Sequence, residues 1–156
     1  MTPIRYVEPV FRPPSEAESL ILPVTDGCSW NECTFCEMYT APQKKFRARD
    51  EAEVLPTRRL LAILAAIRSH LPAVRRISSY CLPRNLRKKS QAEVNELAAA
   101  GLSMVYVGAE SGDDRVLAAV NKGETFDTTR EALDKLGAAG ITRSVMILNG
   151  LGGTVY

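Results

Sequence analysis

Cys28, Cys33 and Cys36 place three of the chain's four cysteines within nine residues, at the spacing C-x4-C-x2-C. Thiols this close together bind metal, carry out redox chemistry or cross-link. The rest of the composition bears on which. Apolar residues make up 46% and charged residues 24% of the 156 positions, the balance of an ordinary globular chain. Lys plus Arg number 20 against 18 Asp plus Glu, and a net charge of +2 points to no particular partner. The longest unbroken apolar run, Leu60 to Ile67, is far short of a membrane span. The opening "MTPIRYVEPVF" lacks the basic-then-apolar layout of a signal peptide. The expectation is a cytoplasmic protein with no membrane segment. Thiols in that compartment stay reduced, which favours a metal or catalytic role over a disulfide.

Three metal readings compete. A closed structural zinc site needs four ligands, and the fourth would have to be Cys81 or His70. A plant-type [2Fe–2S] loop has similar spacing with a remote fourth cysteine, which Cys81 could supply. A [4Fe–4S] cluster held by only three thiolates keeps one iron open for a cofactor or substrate, as catalytic metal sites do. The residues alone leave all three open.

The elements that must position these thiols read as α/β. The stretch through Ser19 is proline-rich and polar, an extended arm over residues 1–18. "SLILPV", Ser19 to Val24, has the short apolar run of a buried parallel strand. Leu60, Ile63, Leu64, Ile67 and Leu71 recur at helical spacing, and Pro72 stops that helix. "VRRISSY" and "SMVYVG" read as strands, separated by a helix that a Ser90–Glu93 capping box opens and Gly101 closes. A short helix from Asp113 to near Gly123 and another over Asp127–Ala139 precede a last strand, "RSVMIL". Ala99-Ala100-Gly101-Leu102 and Ala138-Ala139-Gly140-Ile141 repeat at an offset of 39 residues, each leading from a helix into a strand. Such a repeat implies a parallel β/α barrel or open sheet, whose active sites lie at the carboxyl ends of strands. The cysteine loop, "GAESG" and "NGLGG" each follow a strand, so the sites are expected on one edge.

At this point the residues carry a resemblance. "TDGCSWNECTFC" resembles the cluster loop of radical S-adenosylmethionine (radical SAM) enzymes. "EPVFRPPSEAESLIL", "RISSYCLPRNLRKKS", "VYVGAESGDDRVLAAVNKG" and "GITRSVMILNGLGG" are similar to stretches of a subgroup with a C-x4-C-x2-C loop. That subgroup is related to the tRNA methylthiotransferase and coproporphyrinogen-oxidase-like branch. The resemblance implies an incomplete parallel β/α barrel of the radical SAM type over residues 19–156. Two departures accompany it. The commonest family spacing is C-x3-C-x2-C, and no second family strand, with its acidic or Gly-Gly-Glu-like end, is visible between "FRARDEAEV" and "LPTRRLLAIL". A sixth strand is likewise expected to be lacking after "GLGGTVY".

The resemblance implies cofactors and residues. Cys28, Cys33 and Cys36 would ligate a [4Fe–4S] cluster. Phe35 would pack near the adenine of S-adenosylmethionine, Glu110 would contact its ribose or amino-acid part, and the backbone around Leu148 to Gly150 would meet the adenine. The implied chemistry is reductive cleavage of S-adenosylmethionine to a 5′-deoxyadenosyl radical that abstracts hydrogen from an unknown substrate. An external electron donor such as flavodoxin or ferredoxin would feed it. The alternative is an inactive iron–sulfur or zinc-binding remnant. No residue is assigned as catalytic in its own right.

The remaining candidates have plainer readings beside these. Glu110 could cap the helix that begins near Asp113, Phe35 could be a core aromatic, and Cys81 a small buried hydrophobe. His70, the only histidine, falls in a helix's last turn, where positive charge is favourable. The runs "KKFRAR" and "RNLRKK" read as solvated faces, since no aromatic residues interleave them as on a nucleic-acid platform. "GLGG" and "GAESG" lack the Lys-Ser/Thr ending of a phosphate loop.

Overall fold

The computed structural model describes residues 6–8, 10–39, 42, 45–48 and 56–155. The chain divides into two compact units, Met1–Leu55 and Pro56–Tyr156. No helix among the described residues is long and apolar enough to cross a membrane.

In the first unit a 3-10 turn at Pro14–Glu16 opens on Pro14, whose fixed φ suits the first helical position. Arg12 donates to the carbonyls of Ala17 and Ser19 at 2.7 and 3.2 Å, and the Tyr6 hydroxyl donates to the Ile21 carbonyl at 2.8 Å. These bonds tie the proline-rich segment down. The strand expected at Ser19–Val24 is not formed: residues 20–23 carry no regular structure, and Leu20 is 58% exposed. Pro23 brings no N–H to a ladder. Pairing starts one step later, in β1 (Thr25–Asp26), which runs antiparallel to β2 (Arg47–Ala48). The cysteine loop therefore leaves a two-stranded antiparallel ribbon and not a strand of the parallel sheet.

The second unit begins with α1 (Thr57–His70), the helix expected from the apolar spacing. It leads to β3 (Ile77–Cys81), α2 (Pro83–Arg87), α3 (Gln91–Ala99), β4 (Leu102–Glu110), α4 (Asp114–Ala119), α5 (Phe126–Ala138) and β5 (Thr142–Ile147). The three strands pair in parallel in the order β3-β4-β5, so each step is a β-α-β crossover. Ser90 caps α3 as its spacing to Glu93 requires: its hydroxyl accepts from Glu93 N at 3.2 Å, while the Glu93 carboxylate accepts from Ser90 N at 2.8 Å. Thr57 on α1 donates to the other Glu93 oxygen at 2.6 Å and accepts from the buried Lys89 ammonium at 3.2 Å. That polar network ties the start of α1 to the start of α3.

The core lies between the helices and one face of the sheet. Val105 and Val107 of β4 pack with Leu86, Val94, Ala132, Leu136 and Ile141. Alternation along β4 follows from the two-residue period of a strand. Burying Leu136 or Val94 completely, as here, contributes roughly 1.5–3 kcal/mol each from apolar area alone. The other face carries Tyr80, Tyr106 and Gly108, and its register brings Tyr80 beside Tyr106 with ring centroids 5.6 Å apart.

A buried ion pair fixes α2 against the turn before α5. The Arg84 guanidinium donates through Nε to Glu124 Oε1 at 3.0 Å and reaches the Gly123 carbonyl at 2.6 Å. Arg84 N–H also donates to Glu124 Oε1 at 3.0 Å, and Thr128 donates to Glu124 Oε2 at 2.9 Å. The Glu124 carboxylate is thus fully partnered, as a buried charge must be.

Candidate functional site

In the first unit, Gly27 adopts a left-handed φ of 71° and turns the chain out of β1 into the cysteine loop. Asn31, also left-handed at 54°, is a residue type that tolerates this conformation, and its amide donates to the Tyr39 carbonyl at 3.1 Å. Cys36 N–H donates to the Cys33 carbonyl at 3.3 Å, so the C-x2-C segment forms a turn. Cys28, Cys33 and Cys36 are half-buried thiols, and no disulfide joins any of the four cysteines. Phe35 between them is half-buried as well. Burial raises the Tyr39 hydroxyl above its ordinary range, and the neighbouring Cys28 and Cys36 charges raise it further. The phenol therefore stands within electrostatic reach of two of the three thiols.

The donor set suits iron–sulfur ligation in kind: three thiols in one turn-rich loop, none of them cross-linked. Its assembly is a separate matter. Among the described residues no three Cys, His, Asp or Glu side chains are gathered as a metal-ligand group.

In the second unit the chemistry-bearing residues lie at the carboxyl ends of parallel strands. Glu110 ends β4 with a φ of 65°, a left-handed conformation that is uncommon for a non-glycine residue. The register of β4 against β5 shifts between Gly108 and Glu110, and Leu148 N–H donates to the Glu110 carbonyl at 2.9 Å. Such a bulge re-aims a side chain at a strand end. The Glu110 carboxylate accepts from the Lys122 ammonium at 3.1 Å through Oε1, with the two side chains 15% and 6% exposed. Glu110 does not cap α4. That role belongs to Asp113, whose carboxylate accepts from Arg115 N–H at 2.8 Å and from the Arg115 guanidinium at 2.7 and 3.2 Å. Arg115 holds the Asp113 carboxyl down to about 2.

Glu110 and the segment 148–150 are brought together by the Leu148–Glu110 backbone bond. Gly150 has a left-handed φ of 75°, and the space where its Cβ would stand is open. The expected sharing of one edge therefore holds for "GAESG" and "NGLGG", while the cysteine loop follows the antiparallel ribbon. Cys81 is not suited to complete a ligand set. Burial pushes its thiol up to about 12, and Sγ–H donates to the Leu82 carbonyl at 3.1 Å, so it stays a protonated thiol against the core. His70 ends α1 with Nδ1 against the Ala66 carbonyl at 2.9 Å, the helix-terminal role expected of it. The junction 49–55, where a second family strand was sought, lies outside the described residues.

Sequence reasoning missed Lys122, Glu124 and Tyr39. For Lys122 a signal was present. It stands between Asn121 and Gly123, two residue types that accept the left-handed conformation both adopt here. The chain thus turns sharply after α4.

The Radical SAM superfamily model matches residues 56–155. This chain belongs to the radical SAM superfamily. The match covers the β3-to-β5 sheet with Glu110 and Lys122, and it names no branch within the superfamily. It begins after the cysteine loop. Among solved structures, the chain resembles the cobalamin-dependent S-adenosylmethionine radical enzyme OxsB with aqua-cobalamin and S-adenosylmethionine bound. Identity is 17% and the TM-score 0.61, over 80% of this chain and 23% of that one. The same enzyme with aqua-cobalamin alone matches at 18% identity, with the same TM-score and coverage. The chain thus spans under a quarter of the length of the structures it matches, and the likeness shows the fold: an α/β domain with a parallel sheet. No curated protein matches it.

Proposed function

We propose that this chain is the core of a radical SAM enzyme. Cys28, Cys33 and Cys36 would hold a [4Fe–4S] cluster, and Glu110 with the backbone of Leu148 to Gly150 would hold S-adenosylmethionine. Phe35 would pack near its adenine. The observation that supports this reading is Glu110: within the matched family span it ends β4 in a left-handed conformation, at the carboxyl edge of the parallel sheet. That is the edge at which α/β sheets bind ligands.

The cofactors, once bound, supply the reductive cleavage of S-adenosylmethionine that yields a 5′-deoxyadenosyl radical for hydrogen abstraction. The chain's own residues bind and orient. Three thiolates leave one iron available, the Gly27 and Asn31 turns set the path of the loop, and Glu110 offers an acceptor to a ribose hydroxyl or an ammonium. Electrons would come from an external donor such as flavodoxin or ferredoxin.

A second reading is a cluster- or zinc-binding remnant without S-adenosylmethionine turnover. Anaerobic reconstitution with iron and sulfide distinguishes them: the enzyme reading expects about four irons per chain, and an electron paramagnetic resonance signal of the reduced cluster that changes on adding S-adenosylmethionine. A reconstituted cluster whose spectrum ignores S-adenosylmethionine supports the remnant. A Cys36→Ala chain with undiminished iron overturns the three-thiolate assignment.

A further inference from the structure

We propose that Lys122 and Gly108 form a positioning device for the Glu110 carboxylate, with Lys122 holding it and Gly108 providing the space in which the pair fits. The inference rests on the reading of Glu110 as an S-adenosylmethionine contact. It concerns residues to which that reading gives no role.

Three features of the geometry carry it. First, the Lys122 ammonium is buried against the sheet and donates to Glu110 Oε1 at 3.1 Å, across 12 residues of chain. A cation is held there by backbone design: α4 is short, Lys122 N–H bonds back to the Leu117 carbonyl at 2.9 Å, and left-handed Asn121 and Gly123 flank it. Second, a Cβ built on Gly108 would strike Glu110 Oε1 and come within 3.2 Å of Lys122 Nζ. Gly108 does not have a left-handed φ, so its lack of a side chain is explained by this space and not by backbone conformation. Third, Lys122 engages Oε1, and among the described residues no hydrogen bond is made to Glu110 Oε2. A carboxylate pinned through one oxygen presents the other in a defined direction, which is how a side chain is pre-organised for a ligand.

The atoms that an added Cβ would meet are the far ends of two flexible side chains. Gly108→Ala therefore leaves the fold intact while displacing the pair, which makes it a cleaner probe than removal of a buried ammonium. The experiment is anaerobic calorimetric titration of S-adenosylmethionine into the reconstituted, unreduced protein, a binding measurement without turnover. Iron content and thermal midpoint are recorded for each variant. Loss of a hydrogen bond to a charged group corresponds to an affinity change of about tenfold or more. Glu110→Gln, Lys122→Met and Gly108→Ala are each expected to weaken binding about tenfold. Lys122→Arg is expected to stay within about threefold of the parent. The Glu110→Gln/Lys122→Met double variant is expected to bind about as well as Glu110→Gln alone, because the two residues act as one unit.

If Glu110→Gln weakens binding while Lys122→Met and Gly108→Ala do not, the positioning role is wrong and Glu110 keeps its own. If the two single losses multiply in the double variant, Lys122 acts independently of Glu110 and the proposal falls. If Glu110→Gln binds like the parent, the Glu110 reading and this inference fall together. Should Lys122→Met fail to fold, Gly108→Ala against Glu110→Gln decides the matter by the same comparison.

Discussion

Arg84→Met tests whether the buried Arg84–Glu124 pair holds the second unit together. The Glu124 side chain is 2% exposed and that of Arg84 24%, so both are largely removed from water. The substitution keeps most of the apolar stem but deletes the Nε bond at 3.0 Å and the bond to the Gly123 carbonyl at 2.6 Å. Removing one partner of a buried pair costs about 3–5 kcal/mol when the remaining charge has no compensation. Here the carboxylate retains Arg84 N–H and the Thr128 hydroxyl, which places the loss at about 2–3 kcal/mol. For a unit of about 100 residues that lowers the midpoint of thermal unfolding by roughly 10–20 °C. Arg130→Met is the control. Its pair with Asp127 spans 3.1 Å but the side chains are 54% and 72% exposed, so the change is expected to stay under about 0.5 kcal/mol. Urea denaturation followed by circular dichroism measures both. The Arg84→Met/Glu124→Gln double variant should recover part of the loss, since no buried charge is then stranded. Equal effects of Arg84→Met and Arg130→Met would refute the reasoning.

Three further predictions come from other sites. The Asp113 carboxyl is held at about 2 by Arg115, below its ordinary 3.8, so its contribution to stability is complete above about pH 4 and is lost as pH falls towards 2; a carbon-13 titration of that carboxyl checks it, and a midpoint near 4 contradicts the Arg115 contact. In the cluster-free protein, Cys81, whose thiol is pushed up to about 12, should react with a thiol reagent at pH 8 more slowly than Cys28, Cys33 and Cys36 and match them only on unfolding; four equally fast thiols would show that its thiol is not raised. Leu136→Ala, at a side chain 1% exposed in the centre of the core, should cost about 2–5 kcal/mol in the same urea experiment, and a loss under 1 kcal/mol would place the core elsewhere.

Much of the second unit was legible because its signals are local. The Ser90–Glu93 box, the apolar spacing of α1 and the repeated Ala-Ala-Gly ends of helices each act within a few residues, and each formed as expected. The helix α2 was not legible: five residues opening on Pro83 offer no periodicity to read. "SLILPV" misled for the opposite reason, since an apolar run is common to buried strands and to tied-down irregular segments, and only Pro23 argued against pairing. At the candidate site, the cysteines were legible by type and spacing, and Glu110 by its place after a strand. The device around Glu110 was not. A left-handed glutamate, a lysine 12 positions on and a glycine two positions back come together only through the bulge and the turn after α4. Pattern reading sees spacing along the chain, whereas that pair depends on closure through space.

The function proposed for this chain is the cleavage of S-adenosylmethionine with a bound [4Fe–4S] cluster. The direct measurement is 5′-deoxyadenosine formed by the anaerobically reconstituted, reduced protein, with Cys36→Ala and Glu110→Gln beside it. The account predicts 5′-deoxyadenosine and methionine in equal amounts from the parent chain, none above background from Cys36→Ala, and a reduced yield from Glu110→Gln at limiting S-adenosylmethionine. A full cluster in the parent chain with no 5′-deoxyadenosine would contradict it and leave a metal-binding remnant.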